Sequence, residues 1–372
     1  MKRILTLVFF AAFPVNAILA ISTTKDVIFS GMALFCLVLF AQAIEAASKK
    51  ERRASLALLF PACIIMLLFR NNAVYAFYLF LAGALLAAVF GKDKFFRKAF
   101  LYIACCLFTY KSIDMALTKV LDVSEGSVAE AFSVPSQQFG RIYGALEPYG
   151  ADQETLDLIR KYYDMDRAVY LPHLSDYMKG YLDLENNKLT DYIGDSIRLF
   201  CEYPAVSIDS FLYLIEGAWN IGDTSHAQIY GEGLDARQGY LLTDVKENYG
   251  ILHKSKCAWL ESFLEHAFSN NEYQNWPVIS LLFSPALYVW ILVICTIVLI
   301  KTKSRYYFFA VSFLWFLLLT ILAGPCVLIR YYYPFVVCSP VLVCMAKISV
   351  CGSSRLAEDW NADGLLDRCE TG

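Results

Sequence analysis

The stretch Ala54–Phe90, ASLALLFPACIIMLLFRNNAVYAFYLFLAGALLAAVF, holds two apolar runs separated by Arg70-Asn71-Asn72. A bilayer core needs about 20 apolar residues per helix. Each run is near that length, so the stretch reads as two membrane spans, 54–70 and 73–90, joined by a tight turn. Lys49, Lys50, Arg52 and Arg53 precede the pair, and Lys92, Lys94, Arg97 and Lys98 follow it. Both ends of this hairpin therefore return to one basic side.

Six further apolar segments lie outward from it, at 4–21, 27–47, 99–117, 278–300, 305–324 and 334–350. The expected fold class is all-α: a polytopic α-helical membrane protein of about eight spans. Composition agrees. The chain is 58% hydrophobic and 18% charged, whereas soluble domains carry about 25% charged residues. The apolar excess sits before residue 118 and after residue 276.

Lys and Arg resist translocation, so their distribution sets orientation. Further basic residues are Lys2 and Arg3, Lys301, Lys303 and Arg305, and Lys347, Arg355 and Arg368. With the two clusters around the hairpin, they place 16 of the 20 basic residues outside 118–276 on one face. That face is expected to be cytoplasmic, with both termini inside a cell membrane. Residues 1–21 carry two readings: a first span, or a cleaved signal peptide with Val15 and Ala17 before the cut.

Four regions follow: spans one to five over 1–117, an extracytoplasmic acidic domain over 118–276, spans six to eight over 277–350, and a cytoplasmic tail over 351–372. The 118–276 region holds 25 acidic and 12 basic residues. This charge excludes a nucleic-acid binder, which needs a basic face. Helices are expected in it from about 152 to 163, from Pro135 to Leu146, from Lys188 to Phe200 and from Cys257 to Phe268. A further apolar run, Ala205–Trp219, suits a helix on the membrane surface or packed within the domain. The stretch 220–250 reads as loop. The 12 cysteines show no CxxC, and only Cys201 and Cys257 fall in this domain, as a pair or as two thiols. His173, His226, His253 and His266 make no metal-ligand spacing. A divalent cation remains open given the outer carboxylates, but no ligand set stands out.

Three outer turns carry charge: Lys25-Asp26, Arg70-Asn71-Asn72 and Arg330-Tyr331-Tyr332-Tyr333-Pro334. Charges beside a span are costly unless they snorkel, pair or serve a site. Lys25, Arg70 and Arg330 also oppose the positive-inside bias. Arginine grips phosphate through its planar fork, and a nearby carboxylate, Asp26, is the candidate base for an acceptor hydroxyl. Anchoring at headgroup level is the simpler alternative.

Five strings occur in order: Ser22-Thr-Thr-Lys-Asp-Val-Ile-Phe29, Phe69-Arg-Asn-Asn-Ala-Val-Tyr75, Ser133-Val-Pro-Ser-Gln-Gln-Phe-Gly-Arg141, Leu171-Pro-His-Leu-Ser-Asp-Tyr-Met-Lys179 and Arg330-Tyr-Tyr-Tyr-Pro334. Together they resemble the DUF6020 family of bacterial polytopic membrane proteins. That family is similar to C-type (GT-C) glycosyltransferases of the mannosyltransferase and arabinosyltransferase kind. The resemblance covers roughly residues 3–350.

It implies transfer of a sugar from a polyprenyl-phosphate donor to a cell-envelope acceptor at the outer face. Arg330 would contact the donor phosphate, within a binding set of Lys25, Arg70, Asn71, Asn72, Arg330, Tyr331 and Tyr333. GT-C enzymes carry a catalytic carboxylate in the loop after their first span, and proteins like this one have several spans before the Thr-Lys-Asp string. Here one span precedes it, so the chain is expected to be the C-terminal portion of a longer protein. Two further readings stand beside the transferase: a non-catalytic envelope scaffold or binding protein, and a lipid-linked glycan transporter.

Overall fold

The computed structural model describes residues 2–21, 24–91, 93–122, 127–146, 152–222, 256–259, 262–263 and 275–351. His226, His253, His266, most of the loop expected over 220–250, most of the helix expected from Cys257 to Phe268 and the 352–372 tail lie outside the described residues. The chain divides into two compact units. One comprises 1–124, 288–321 and 330–372, the other 125–287 and 322–329.

The first unit opens with α1 (Lys2–Ala12) and α2 (Pro14–Ile21). A single span over 4–21 was expected, but the helix breaks at Phe13. The cause is Pro14, which has no N–H to give to the carbonyl four residues back. The Asn16 side-chain amide donates instead to the carbonyls of Phe9, at 3.0 Å, and Phe10, at 3.5 Å.

Next come α3 (Lys25–Glu45), α4 (Lys49–Phe69), α5 (Asn71–Phe90) and α6 (Lys94–Leu121). Helix α4 starts on a cap: Ser48 Oγ accepts from the Glu51 N–H at 3.2 Å, and the Glu51 carboxylate accepts from the Ala47 N–H at 3.2 Å. Such caps contribute about 1 kcal/mol. Arg70 alone joins α4 to α5, in extended conformation (φ −153°, ψ 122°). Asp93 caps α6 by accepting from the Phe95 N–H at 2.9 Å.

The second unit is built on α7 (Ser133–Leu146), which follows a short 3-10 turn at Val128–Phe132. Around it lie α8 (Gln153–Tyr162), α9 (Asp176–Lys179), α10 (Leu189–Glu202), α11 (Pro204–Leu214) and α12 (Glu216–Trp219). The helices expected over 135–146, 152–163 and 188–200 are therefore present, with ends shifted by up to two residues. The run 205–219 packs inside the unit. Helix α11 lies along α7 with Ser207, Ser210 and Leu214 buried, and it stops at Ile215 in the bridge region of the backbone (φ −100°, ψ 9°).

The core gathers Phe139, Ile142, Ile159, Tyr162, Tyr163, Met178, Tyr192 and Leu199. Its buried hydroxyls are matched: Tyr163 donates to Ser136 at 2.9 Å and shares a hydrogen bond with Tyr192 at 2.8 Å. Burial pushes the Tyr192 hydroxyl up to about 12, so this network stays protonated at neutral pH. The segment 322–329 joins this unit through the Ser175 N–H, which donates to the Pro325 carbonyl at 2.9 Å. No disulfide joins Cys201 to Cys257.

The chain ends with α13 (Ile279–Phe283), α14 (Pro285–Lys301), α15 (Arg305–Leu322) and α16 (Ile329–Cys351). A span was expected over 278–300. Ser284 is instead extended, as a residue before proline prefers, and this leaves a five-residue turn ahead of a 17-residue apolar helix. Among the described residues, six helices, α3, α4, α5, α6, α15 and α16, are long and apolar enough to cross a membrane. Aromatic contacts seat α15 against the others in the first unit: Phe80 with Phe309 at 4.7 Å and Phe77 with Phe313 at 5.2 Å between centroids. Tyr306 donates to the Asp93 carboxylate at 3.0 Å, and Tyr307 to Glu45. The protein is an all-α, multi-pass membrane protein.

Candidate functional site: two guanidinium groups around Tyr331

Within the first unit, the start of α3, the α4–α5 turn and the start of α16 converge. Asp26 lies in the first turn of α3, where a carboxylate is favoured by the partial positive charge of the helix terminus. It is buried, and its Oδ1 lies 2.8 Å from Arg70 Nη1. The contact lies outside hydrogen-bond geometry, so each of these two atoms keeps hydrogen-bonding capacity unused by the other. Thr24 Oγ1, just before α3, is also buried and has no hydrogen-bond partner among the described residues.

Arg70 is held by more than its charge. Its guanidinium carbon lies 4.8 Å from the Tyr331 ring centroid and 5.6 Å from that of Phe29. Arg330 meets the same tyrosine: its Cζ is 4.7 Å from the centroid, and its Nη2 donates to the Tyr331 hydroxyl at 2.8 Å. Cation–π contacts of this kind contribute about 0.5–2 kcal/mol. Two guanidinium groups thus meet one phenol ring, and a carboxylate pairs with one of them. Like charges this close repel unless an anion sits between or beside them. The arrangement suits a ligand that brings negative charge and acceptor oxygens.

The expected site residues divide. Asp26, Arg70, Arg330 and Tyr331 come together. Lys25 and Asn71 are exposed and take no part in the cluster. Lys25 sits one residue before Asp26, and the helical turn directs it to a different face. Asn72 makes a long contact, 3.5 Å, from Nδ2 to the Thr320 carbonyl. Tyr333 is buried and donates to Asn16 Oδ1 at 3.0 Å, so it locks α16 to the break in the first helix pair. Asn16 and Phe29 were not among the expected residues. The signal for Asn16 was an amide two residues after a proline in an apolar run.

The strings Ser133–Arg141 and Leu171–Lys179 do different work. Gln137 Nε2 donates to the Leu171 carbonyl at 2.6 Å and the Pro172 carbonyl at 3.2 Å. Gln138 Nε2 donates to the Ser196 carbonyl at 3.0 Å, and Arg141 pairs with Asp209 at 2.5 Å. Lys179, itself buried, bridges Glu130 at 2.5 Å and Asp176 at 2.9 Å. These two strings build the core of the second unit. His173 is half-buried beside them. Among the described residues, no three His, Cys, Asp or Glu side chains converge in a way that could hold a metal ion.

Fold and site define a polytopic α-helical membrane protein with a buried ionic cluster at one end of its helices. The chain belongs to the DUF6020 family, a family of unknown function, whose family model matches residues 1–359. No curated protein and no solved structure matches the chain.

Proposed function

We propose that the protein acts on a polyprenyl-phosphate-linked sugar at the outer face of the membrane, as a GT-C-like glycosyltransferase. The observation that carries this reading is the pair of guanidinium groups on Tyr331. A phosphate diester is a compact anion whose several acceptor oxygens match two guanidinium forks. Arg330 and Arg70 are its contacts, and Asp26 keeps Arg70 aimed.

The position fits an outer-face site. Helix α4 begins beside the basic cluster Lys49, Lys50, Arg52 and Arg53 and ends at Arg70. Its 21 residues span about 30 Å at 1.5 Å per residue. If the basic end is cytoplasmic, by the positive-inside bias, the ionic cluster stands at the opposite membrane surface. The acceptor is then a cell-envelope glycan, lipid or protein.

A second reading has its own support. Asp26 is buried and already faces a cation, which makes it a poor general base for a hydroxyl arriving from solvent. A donor-binding protein without transferase activity would need the two arginines and no free carboxylate. Sugar transfer from a polyprenyl-phosphate donor, measured in membranes carrying the wild type or Arg330→Ala, separates the two. Transfer lost in the variant supports the enzyme; donor binding without transfer in the wild type supports the binding protein. Transfer unaffected by Arg330→Ala would remove Arg330 from the site.

A further inference from the structure

The second unit carries a surface that runs against the usual order of a fold in water. On α10, Leu189, Ile193, Ile197 and Phe200 recur at i, i+4, i+8 and i+11, so they share one face, and all four are exposed. The residues that α10 gives to the core, Tyr192, Ser196 and Leu199, lie on another face. Helix α11 follows after Tyr203 alone and is inverted in composition. It buries Ser207, Ser210 and Leu214 and turns Ile208 and Leu212 outward, at 48% and 45% exposure. Hydrogen bonds to the core do not draw these serines inward. Ser210 Oγ donates within its own helix, to the Ser207 carbonyl at 2.8 Å, and Ser207 Oγ has no hydrogen-bond partner among the described residues.

In water, burying an unmatched hydroxyl and exposing a leucine both cost free energy. In lipid the order reverses: small residues face neighbouring helices and large apolar ones face acyl chains. Scattered exposed apolar side chains are ordinary. Six on two consecutive helices mark a contact surface. The 11 residues of α11 cover about 16 Å, too little to cross a bilayer but enough to lie along one.

Connectivity names the occupant. The loop 323–328 belongs to the second unit and joins α15 to α16, two helices long enough to cross a membrane. It is too short to rise more than about 12 Å above the ends of those helices. The Ser175 N–H binds it at the Pro325 carbonyl, 2.9 Å away, within the same unit. The unit is therefore held at a bilayer surface by its own chain. The polar stripe of α10 holds Asp191, Asp195 and Glu202 against Arg198. Such a stripe is not attracted to anionic headgroups, so the attraction of this surface to lipid is apolar.

We propose that the exposed faces of α10 and α11 lie in the headgroup layer of the bilayer that the chain spans, with Ile197, Phe200, Ile208 and Leu212 reaching the acyl boundary. The contact requires no anionic lipid and does not depend on the proposed transferase.

The test places the photo-reactive amino acid p-benzoylphenylalanine at the position of Ile197 or of Ile208, one at a time, in the full chain in phosphatidylcholine nanodiscs. Asp157, exposed on α8, is the control position. After irradiation, mass spectrometry identifies the adducts. Lipid adducts are expected at 197 and 208 and not at 157, with the same yield when phosphatidylglycerol replaces part of the phosphatidylcholine. The double variant Ile193→Glu/Leu212→Glu, at two exposed positions, should abolish them with the unfolding midpoint unchanged. Adducts to polypeptide in place of lipid, from a second copy or from the same chain, would overturn the proposal. So would a yield at 197 and 208 no higher than at 157, or lipid adducts that survive the double variant.

Discussion

Asp26 and Arg70 are far apart in sequence, yet they form a buried ion pair at 2.8 Å that ties the start of α3 to the turn between α4 and α5. Both side chains are under one-tenth exposed. Desolvating two charges is expensive, and an isolated pair of this kind often stabilises no better than apolar residues would. Its value lies in what it positions: a guanidinium held against Tyr331, beside a second one.

Breaking this pair from one side should therefore be costly. Asp26→Asn leaves Arg70 buried beside Arg330 without its carboxylate, and a loss of about 3–5 kcal/mol is expected. The double variant Asp26→Asn/Arg70→Met removes both charges and should recover most of that loss without restoring donor binding. Thermal unfolding of the four proteins of the cycle in detergent checks this. Additive losses would mean that the pair is not coupled.

Arg330→Lys keeps the charge but not the planar fork or the stacking on Tyr331. Thermal stability should stay within about 1 kcal/mol of wild type, as for a half-buried position. Binding of a polyprenyl phosphate should weaken about tenfold or more. A variant that binds the donor as well as wild type would show that bidentate recognition is not used.

Tyr333→Phe removes one hydroxyl and leaves Asn16 Oδ1 without its donor. The expected cost is about 1–3 kcal/mol, the usual range for stranding a buried acceptor. Asn16→Leu should cost more, because the Phe9 and Phe10 carbonyls beside Pro14 also lose their cover. Unfolding midpoints of the two variants provide the comparison. An Asn16→Leu protein as stable as wild type would mean that the break at Phe13 is satisfied in another way.

Gly140→Ala tests the second unit. A Cβ there would stand 2.8 Å from a Tyr170 ring carbon and 3.1 Å from the Met178 side chain. Overpacking of this degree costs about 1–3 kcal/mol. Hydrogen exchange should report faster opening across α7 and α9 while α3 to α5 stay protected. Unchanged exchange would contradict the tight α7–α9 contact.

Much of the fold was legible because hydropathy reports burial in lipid directly. Six of the eight expected spans are long apolar helices, but most of these begin ahead of the apolar runs. Helix α4 begins at Lys49 rather than 54, and α6 covers 94–121 rather than 99–117. Charged residues at a span end stay helical while their heads reach for water, and hydropathy does not register that. The two segments that differ carry Pro14 and Pro285, whose cost is paid in backbone hydrogen bonds rather than in hydrophobicity.

The candidate site was legible in kind but not in geometry. Arg70 and Arg330 stood out as cations at the wrong end of apolar helices, and Asp26 as a carboxylate near them. That Asp26 faces Arg70, and that one tyrosine lies beside both arginines, depends on packing among four helices. Local sequence does not encode that packing. Lys25 and Asn71 look equivalent to their neighbours in the chain, and only the helical turn separates the faces they occupy.

The most direct test of the central claim is transfer of labelled sugar from a polyprenyl-phosphate donor to membrane acceptors, with wild-type protein and Arg330→Ala matched for amount and folding. The account predicts transfer by the wild type and its loss in the variant, with the protein still folded. Equal transfer by both proteins would contradict it.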